Sequence, residues 1–169
     1  MRAPILLSLG LIAARAFSQS TAPADPLASR SLDISGVPLV DPPVRDYQNF
    51  FNEVKDLGKR PLSADARRSL ALSNEELRSL VTVTADLADQ AVAFRKIWRP
   101  WRFESFMELV ESDAVSPALQ SKMTELRNEW SQIILDHARR LKAALGEERF
   151  HRVEEFMRSG KSMFEVPGA

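Results

Sequence analysis

Apolar residues recur every three or four positions along most of this chain, which is the period of an α-helix packed on one face. The longest such stretch begins at Ser116-Pro117, a serine cap with a first-turn proline, and reaches Gly146 without an internal breaker. A helix over residues 117–145 would be about 43 Å long at about 1.5 Å per residue. Its predicted apolar stripe consists of Leu119, Met123, Leu126, Trp130, Ile133, His137, Leu141 and Leu145.

A second long helix is predicted from Asn74 to about Trp98, and a shorter one from Pro100 or Trp101 to about Glu111. Pro100 has no backbone N–H, so we expect it to kink or end the longer of these helices. The apolar stripe is continuous up to Trp101, and the apolar positions then shift in phase. The shifted stripe consists of Phe103, Phe106, Met107 and Val110.

Shorter helices are predicted on either side of the long ones. Asp41-Pro42-Pro43 is an acidic cap with first-turn prolines, and the helix that it begins should end at Gly58. A near-repeat with the pattern Leu-Ser-x-acid-x-x-Arg-Ser-Leu occupies residues 62–70 and 72–80, and each copy predicts a helix start at its serine. A last helix is predicted over residues 147–159.

Two long helices with a short connection predict an antiparallel helical hairpin whose open side is covered by the shorter helices. The expected fold class is therefore all-α, a three- to five-helix bundle-like arrangement in a single domain over residues 42–160. Residues 19–41 are rich in proline, serine and alanine and lack a period, which predicts a flexible lead-in. Residues 161–169 are expected to form a C-terminal tail.

The first eighteen residues have the pattern of an export signal. Arg2 provides a positive start, residues 3–14 form an apolar run, and small residues around Ala16 and Ser18 suit a signal peptidase. Twelve apolar residues are too few to cross a bilayer, which needs about 20. The sequence thus predicts a signal peptide over residues 1–18, cleaved near Ala16 or Ser18, and a periplasmic or extracellular location.

Charge and cysteine content exclude several kinds of function. Without residues 1–18, Lys plus Arg falls from 23 to 21 against 23 Asp plus Glu, so the net charge is near −2. This balance argues against binding to nucleic acid, which requires clustered positive charge. The chain has no cysteine, which excludes disulfides, thiol catalysis and zinc–thiolate sites.

Residues 94–103 contain the most unusual side chains, two tryptophans among four basic residues, and four acidic residues follow by residue 113. One interpretation is structural, with the tryptophans filling an elbow at the proline. The basic residues would then stabilise the end of the helix before the proline, and the acidic residues the start of the helix after it. The other is a surface for a protein partner, or for an anionic lipid or acidic glycan, although the nearby acidic residues oppose an anionic membrane. The candidate partner-binding residues are Arg95, Trp98, Arg99, Trp101 and Arg102.

Elsewhere in the sequence, few residues suggest a metal-binding or catalytic site. Glu148 and His151 have the Glu-x-x-His spacing of carboxylate di-metal bundles, but such sites need a second pair and two further carboxylates, so no metal or other cofactor is expected. His137 falls within an apolar stripe and is expected to be buried and hydrogen-bonded, since no nucleophile or orienting acid accompanies it.

The sequence therefore favours an exported, non-enzymatic helical protein of the cell envelope that binds a protein partner. The long apolar stripes also permit a homodimer. A lipid- or glycan-binding module that uses the Trp98/Trp101 segment is the alternative, with any membrane contact peripheral, and a small helical enzyme is a further one.

Overall fold

The computed structural model describes residues 34–57 and 59–165, so the predicted export signal and the predicted stop at Gly58 lie outside the described residues. Helices make up most of the described chain, and no extended strand occurs in it beyond isolated bridges. The predicted all-α class is confirmed. The helices are α1 (Val44–Val54), α2 (Ala64–Leu70), α3 (Asn74–Ser112), α4 (Pro117–Leu145) and α5 (Glu147–Arg158).

Helices α3 and α4 form the predicted antiparallel hairpin. The Phe94 and Trp130 rings are 5.2 Å apart, and Arg140 Nη2 donates to Asp86 Oδ2 at 2.6 Å nearer the open end. Because partners later in α3 meet partners earlier in α4, the two helices run in opposite directions. α4 has the predicted limits, since Ser116 Oγ accepts from the Leu119 N–H and Gly146 follows its last residue.

The serines of the near-repeat cap two consecutive helices, as predicted. Ser63 Oγ accepts from the Ala66 N–H at the start of α2. Ser73 begins α3 with a full capping box, in which Glu76 Oε2 accepts from the Ser73 N–H at 2.6 Å. The hydrogen bond from Ser73 also lowers the pKa of the Glu76 carboxyl. These local bonds satisfy N–H groups that have no partner inside the helix.

The predicted end of a helix at Pro100 is wrong, because α3 continues through this residue to Ser112, and a kink there stays a prediction. A proline inside a helix removes one backbone hydrogen bond and disfavours the structure by about 3 kcal/mol, without necessarily ending it. Here the helix is long on both sides of Pro100 and packs against α4, which offsets that local cost. The hairpin is closed by a short turn after Ser112 instead of by a separate helix.

The three short helices cover the open end of the hairpin and complete one hydrophobic core. α1 contacts α3, α4 and α5, and α5 contacts α2 and α4. Trp130, Phe51 and Leu87 are among the fully buried side chains at the centre.

The packed region extends beyond the predicted limits of residues 42–160 at both ends. Ile34 and Val40, within the predicted lead-in, are fully buried, as is Met163 in the predicted tail. Phe164 is also buried and pairs with Leu62, and the Ser63 N–H donates to the Met163 carbonyl at 3.0 Å. Isolated apolar residues in these segments have no periodicity, so the sequence pattern did not indicate their burial.

Candidate protein-binding surface

The far end of the hairpin lies outside the main core, and we call residues 99–125 the arm. On the α3 side, none of the residues from Arg99 to Ser112 is buried. Trp101 and Met123 still pack against the edge of the main core, and Leu119, in the first turn of α4 nearer the tip, is buried. The turn at the tip is held by Glu108, whose Oε2 accepts from the Ser116 N–H at 2.7 Å. The arm is thus a two-helix projection that exposes most of its α3 surface.

An apolar strip lies on the exposed face of α3 in the arm. Phe103, Phe106 and Val110 are 66%, 60% and 62% exposed, and Met107 lies among them. The four residues, which we call the outer strip, fall within an arc of about 100° at about 100° per residue. The apolar positions that shift in phase after Trp101 therefore face away from α4, which corrects the expectation that they continue a packed stripe.

Exposure of the outer strip is energetically costly. Full burial of a Phe, Val or Met side chain is worth about 1.5–3 kcal/mol relative to exposure. Single exposed apolar residues are common on proteins, but contiguous groups mark interaction sites. Ile97 and Leu109 are also about half exposed, although they lie on the sides of α3 nearer to α4. The outer strip is the main continuous apolar face that the described part of the chain leaves uncovered.

Charges of opposite sign lie at the two ends of the outer strip. Lys96, Arg99 and Arg102 are exposed at the end nearer the core. Glu111 and Asp113 are exposed toward the tip, and Glu104 is exposed beside Phe103. Among the described residues, neither Lys96 nor Glu111 has an ion-pair partner within 4.0 Å. The surface thus combines an apolar centre with one basic end and one acidic end.

The two tryptophans of the candidate segment face the interior. Trp98 is 6% exposed and belongs to the main core. Trp101 is half-buried at the edge of the core, and the Lys122 ammonium lies 5.9 Å from its ring centre. They do fill the base of the arm, as the structural interpretation expected, although the chain there is one continuous helix.

The basic residues of the same segment are arranged differently. Arg99 and Arg102 extend into solvent on α3, while Arg95 is half-buried and its Nε donates to the Ala91 carbonyl at 3.2 Å. Contact of Arg95, Trp98, Arg99, Trp101 or Arg102 with a partner stays a prediction. The outer strip was not among the candidate residues predicted from the sequence, because its three- and four-residue spacing also fits a stripe packed inside the domain.

The two histidines make contacts within their own helices. His137 is buried, with Nδ1 2.8 Å from the Ile133 carbonyl oxygen and Nε2 3.3 Å from Arg140 Nη1. Burial lowers the pKa of His137 below 6.5, and its predicted burial and hydrogen bonding are confirmed. His151 is exposed, with Nε2 3.3 Å from Glu155 Oε1 one helical turn away.

A cavity of about 290 Å³ lies among α1, α4 and α5, and its basic residues Arg139 and Lys142 form ion pairs with Asp136 and Glu147. The Tyr47 hydroxyl donates to Glu154 Oε1 at 2.5 Å. Burial, reinforced by this hydrogen bond, raises the pKa of Tyr47 to about 12. Such a tyrosine is a poor proton donor or acceptor near neutral pH, so this cavity suggests no chemistry.

Two further properties of the described residues bear on the kind of site. No group of three or more His, Cys, Asp or Glu side chains there could hold a metal ion. None of the helices in residues 34–57 and 59–165 has the length and apolar content that crossing a membrane requires. No protein-family model, curated protein or solved structure matches this chain.

Proposed function

We propose that this chain is an exported, non-enzymatic helical protein of the cell envelope that binds a protein partner through the outer strip. The observation that carries the proposal is the contiguous exposure of Phe103, Phe106 and Val110 on an arm that projects from a well-packed core. The sequence of residues 1–18 supports the exported location.

The chemistry of the surface favours a helix of another protein molecule as the ligand. An apolar strip with three- and four-residue spacing fits the apolar face of an amphipathic helix. The opposite charges at its two ends would orient that helix, because charge complementarity fixes register and direction. An anionic membrane is disfavoured, since Glu104, Glu111 and Asp113 are exposed beside the same strip.

Photo-cross-linking in intact cells tests this proposal. A benzophenone amino acid is placed at Phe103 or Phe106 in the outer strip, and at Leu39 as the control, which is exposed and is not part of the outer strip. We expect protein adducts from the two strip positions and none from Leu39, with the adducts identified by mass spectrometry. The proposal fails if the strip positions give no protein adduct, or if adducts are equally abundant from Leu39.

Fractionation of the same cells tests the location. The N-terminus of the exported protein should begin after Ala16 or Ser18 when it is read by mass spectrometry. An intact N-terminus in a protein that stays inside the cell would contradict the exported part of the proposal.

A further inference from the structure

We infer that the junction of α2 and α3 binds an aliphatic carboxylate of medium chain length, with the alkyl chain in an apolar cavity and the carboxylate on Arg67. This inference concerns a second site and does not depend on the outer strip. It follows from the lining, the volume and the charge of the cavity.

The cavity lies within the near-repeat, where the chain turns from one helix into the next. Ala71 ends α2 in the left-handed conformation, with φ at 44°, and Leu72 and Ser73 then lead into α3. A space of about 260 Å³ lies beside this turn. The apolar residues around it are Leu62, Ala66, Leu70, Ala71, Leu72 and Leu77.

This lining suits an apolar group better than water. Ala66 and Leu70 are buried, and the other three leucines are half-buried. Apart from Arg67, the described residues around the cavity have no polar side chain. A water molecule held in a cavity needs about two to four polar partners, which these side chains do not supply. An apolar ligand therefore displaces only poorly held water, which favours binding.

The volume of the cavity indicates the length of the alkyl chain. An apolar protein cavity of about 150 Å³ holds the six carbons of benzene, which is about 25 Å³ for each carbon. At the same space per carbon, the 260 Å³ of this cavity holds about ten carbons. The ligand is therefore a single chain of medium length, because the two long acyl chains of a phospholipid exceed this space.

Arg67 determines the chemistry of the head group. Among the described residues that line the cavity it alone is charged, and its Nε donates to the Leu62 carbonyl at 3.0 Å, which holds the guanidinium beside the cavity. Its Nη2 lies 3.7 Å from Glu165 Oε1, beyond hydrogen-bond distance, and the side chain is 61% exposed. The Nη groups can therefore form the two parallel hydrogen bonds that a guanidinium makes with a carboxylate.

Isothermal titration calorimetry tests the site with the full-length sequence and linear carboxylates from hexanoate to tetradecanoate, all below their micelle concentrations. Each buried methylene should lower the dissociation constant about four-fold, until the cavity is full at about ten carbons. For decanoate we expect a dissociation constant on the order of 100 µM. Failure of decanoate to bind would overturn the inference. So would affinity that keeps rising to tetradecanoate, because that indicates adsorption on the surface.

Leu77→Ala tests whether the alkyl chain occupies this cavity. The smaller side chain enlarges the space, so the affinity should level off at longer carboxylates than in the wild type. Leu109→Ala is the matched control, since Leu109 is a half-exposed leucine of the same helix in the arm. Identical chain-length profiles of the two variants would overturn the assignment to this cavity.

Arg67→Gln and Arg68→Gln test the head group. The two arginines are adjacent on α2, but Arg68 pairs with Asp65 at 2.7 Å and is not part of the cavity wall. Arg67→Gln should weaken octanoate binding about five- to ten-fold and leave 1-octanol binding unchanged, because the alcohol has no charge to pair. Arg68→Gln should change neither. Equal effects of the two substitutions on octanoate would overturn the role of Arg67.

The competing occupant is the chain itself, because Val166 follows Glu165 in the sequence and lies outside the described residues. Val166→Ser removes its apolar side chain. We expect this variant to bind octanoate with the affinity of the wild type. Binding at least about ten-fold tighter than that of the wild type would overturn the inference, because it would show that the cavity holds the chain's own valine.

Discussion

His137 and Trp98 show how burial changes the role of a side chain that has functional chemistry in the sequence. His137 is enclosed in the core and hydrogen-bonded to its own helix. Trp98, a candidate partner-binding residue, is likewise enclosed. Truncation of a buried tryptophan typically costs about 3–5 kcal/mol, so a Trp98→Ala variant would report on stability before it reported on binding.

We expect the stability of the protein to depend on His137 at mildly acidic pH. Burial holds the pKa of His137 below its unfolded value of 6.5, so below that pH the unfolded chain binds a proton that the folded chain does not. The free energy of unfolding should therefore fall as the pH drops through 6.5, by at most about 1.4 kcal/mol per pH unit from this residue.

Urea denaturation between pH 7 and pH 5 measures this contribution, with His137→Gln as the comparison. The difference between the two proteins isolates the histidine from the carboxylates that they share. The wild type should lose more stability than the variant over this interval, and identical losses would contradict the prediction.

At the level of single residues, the sequence predicted contacts between residues that are close together in the chain. The capping box of Ser73 and Glu76 spans three positions, so the sequence pattern alone predicts it. The Tyr47–Glu154 hydrogen bond joins α1 to α5, and only the folding of the whole chain brings these residues together.

Helix α3 shows the balance between local preference and tertiary packing at the level of the element. Its 39 residues include Pro100, a residue type that in the sequence alone predicts the end of a helix. The residues that pack on α4 lie mainly before Pro100, and the arm lies after it. The proline therefore sits where the well-packed part of the hairpin becomes the arm.

Replacement of Pro100 by alanine should stabilise the protein. The alanine N–H restores the backbone hydrogen bond to the carbonyl one turn earlier and removes the clash of the proline ring, so we expect a gain of up to about 3 kcal/mol in the free energy of unfolding. Thermal and urea denaturation both report this change.

Pro117→Ala is the matched control, because Pro117 occupies the first turn of α4, where the N–H has no helical partner. It should give no comparable gain. Unchanged or reduced stability of Pro100→Ala would show that the proline conformation is itself required in α3.

The whole molecule consists of a well-packed body and an arm with little buried surface. The body contains the main core together with the segments around Ile34 and Met163 that close over it. Trp98 is the last buried residue of α3, so no α3 residue within the arm is buried. Local stability follows buried contacts, so the two parts should open independently.

Hydrogen exchange should reveal this difference. At low protein concentration, amides of α3 beyond Arg102 should exchange faster than those around Leu87, because opening the arm exposes less buried apolar surface. Mass spectrometry of peptides from the two regions measures the contrast. Equal protection of both regions would contradict the division into body and arm.

Helix type, most helix limits and the hairpin follow from local information, namely apolar spacing, serine caps and the glycine after Leu145. Burial of Ile34 and Phe164, continuity through Pro100 and exposure of the outer strip depend on contacts between residues far apart in the chain. Periodicity identifies an apolar helix face but contains no information on what covers it. The body covers the stripe up to Trp98, whereas the outer strip lies on the face of α3 that points away from α4, which the described part of the chain leaves exposed.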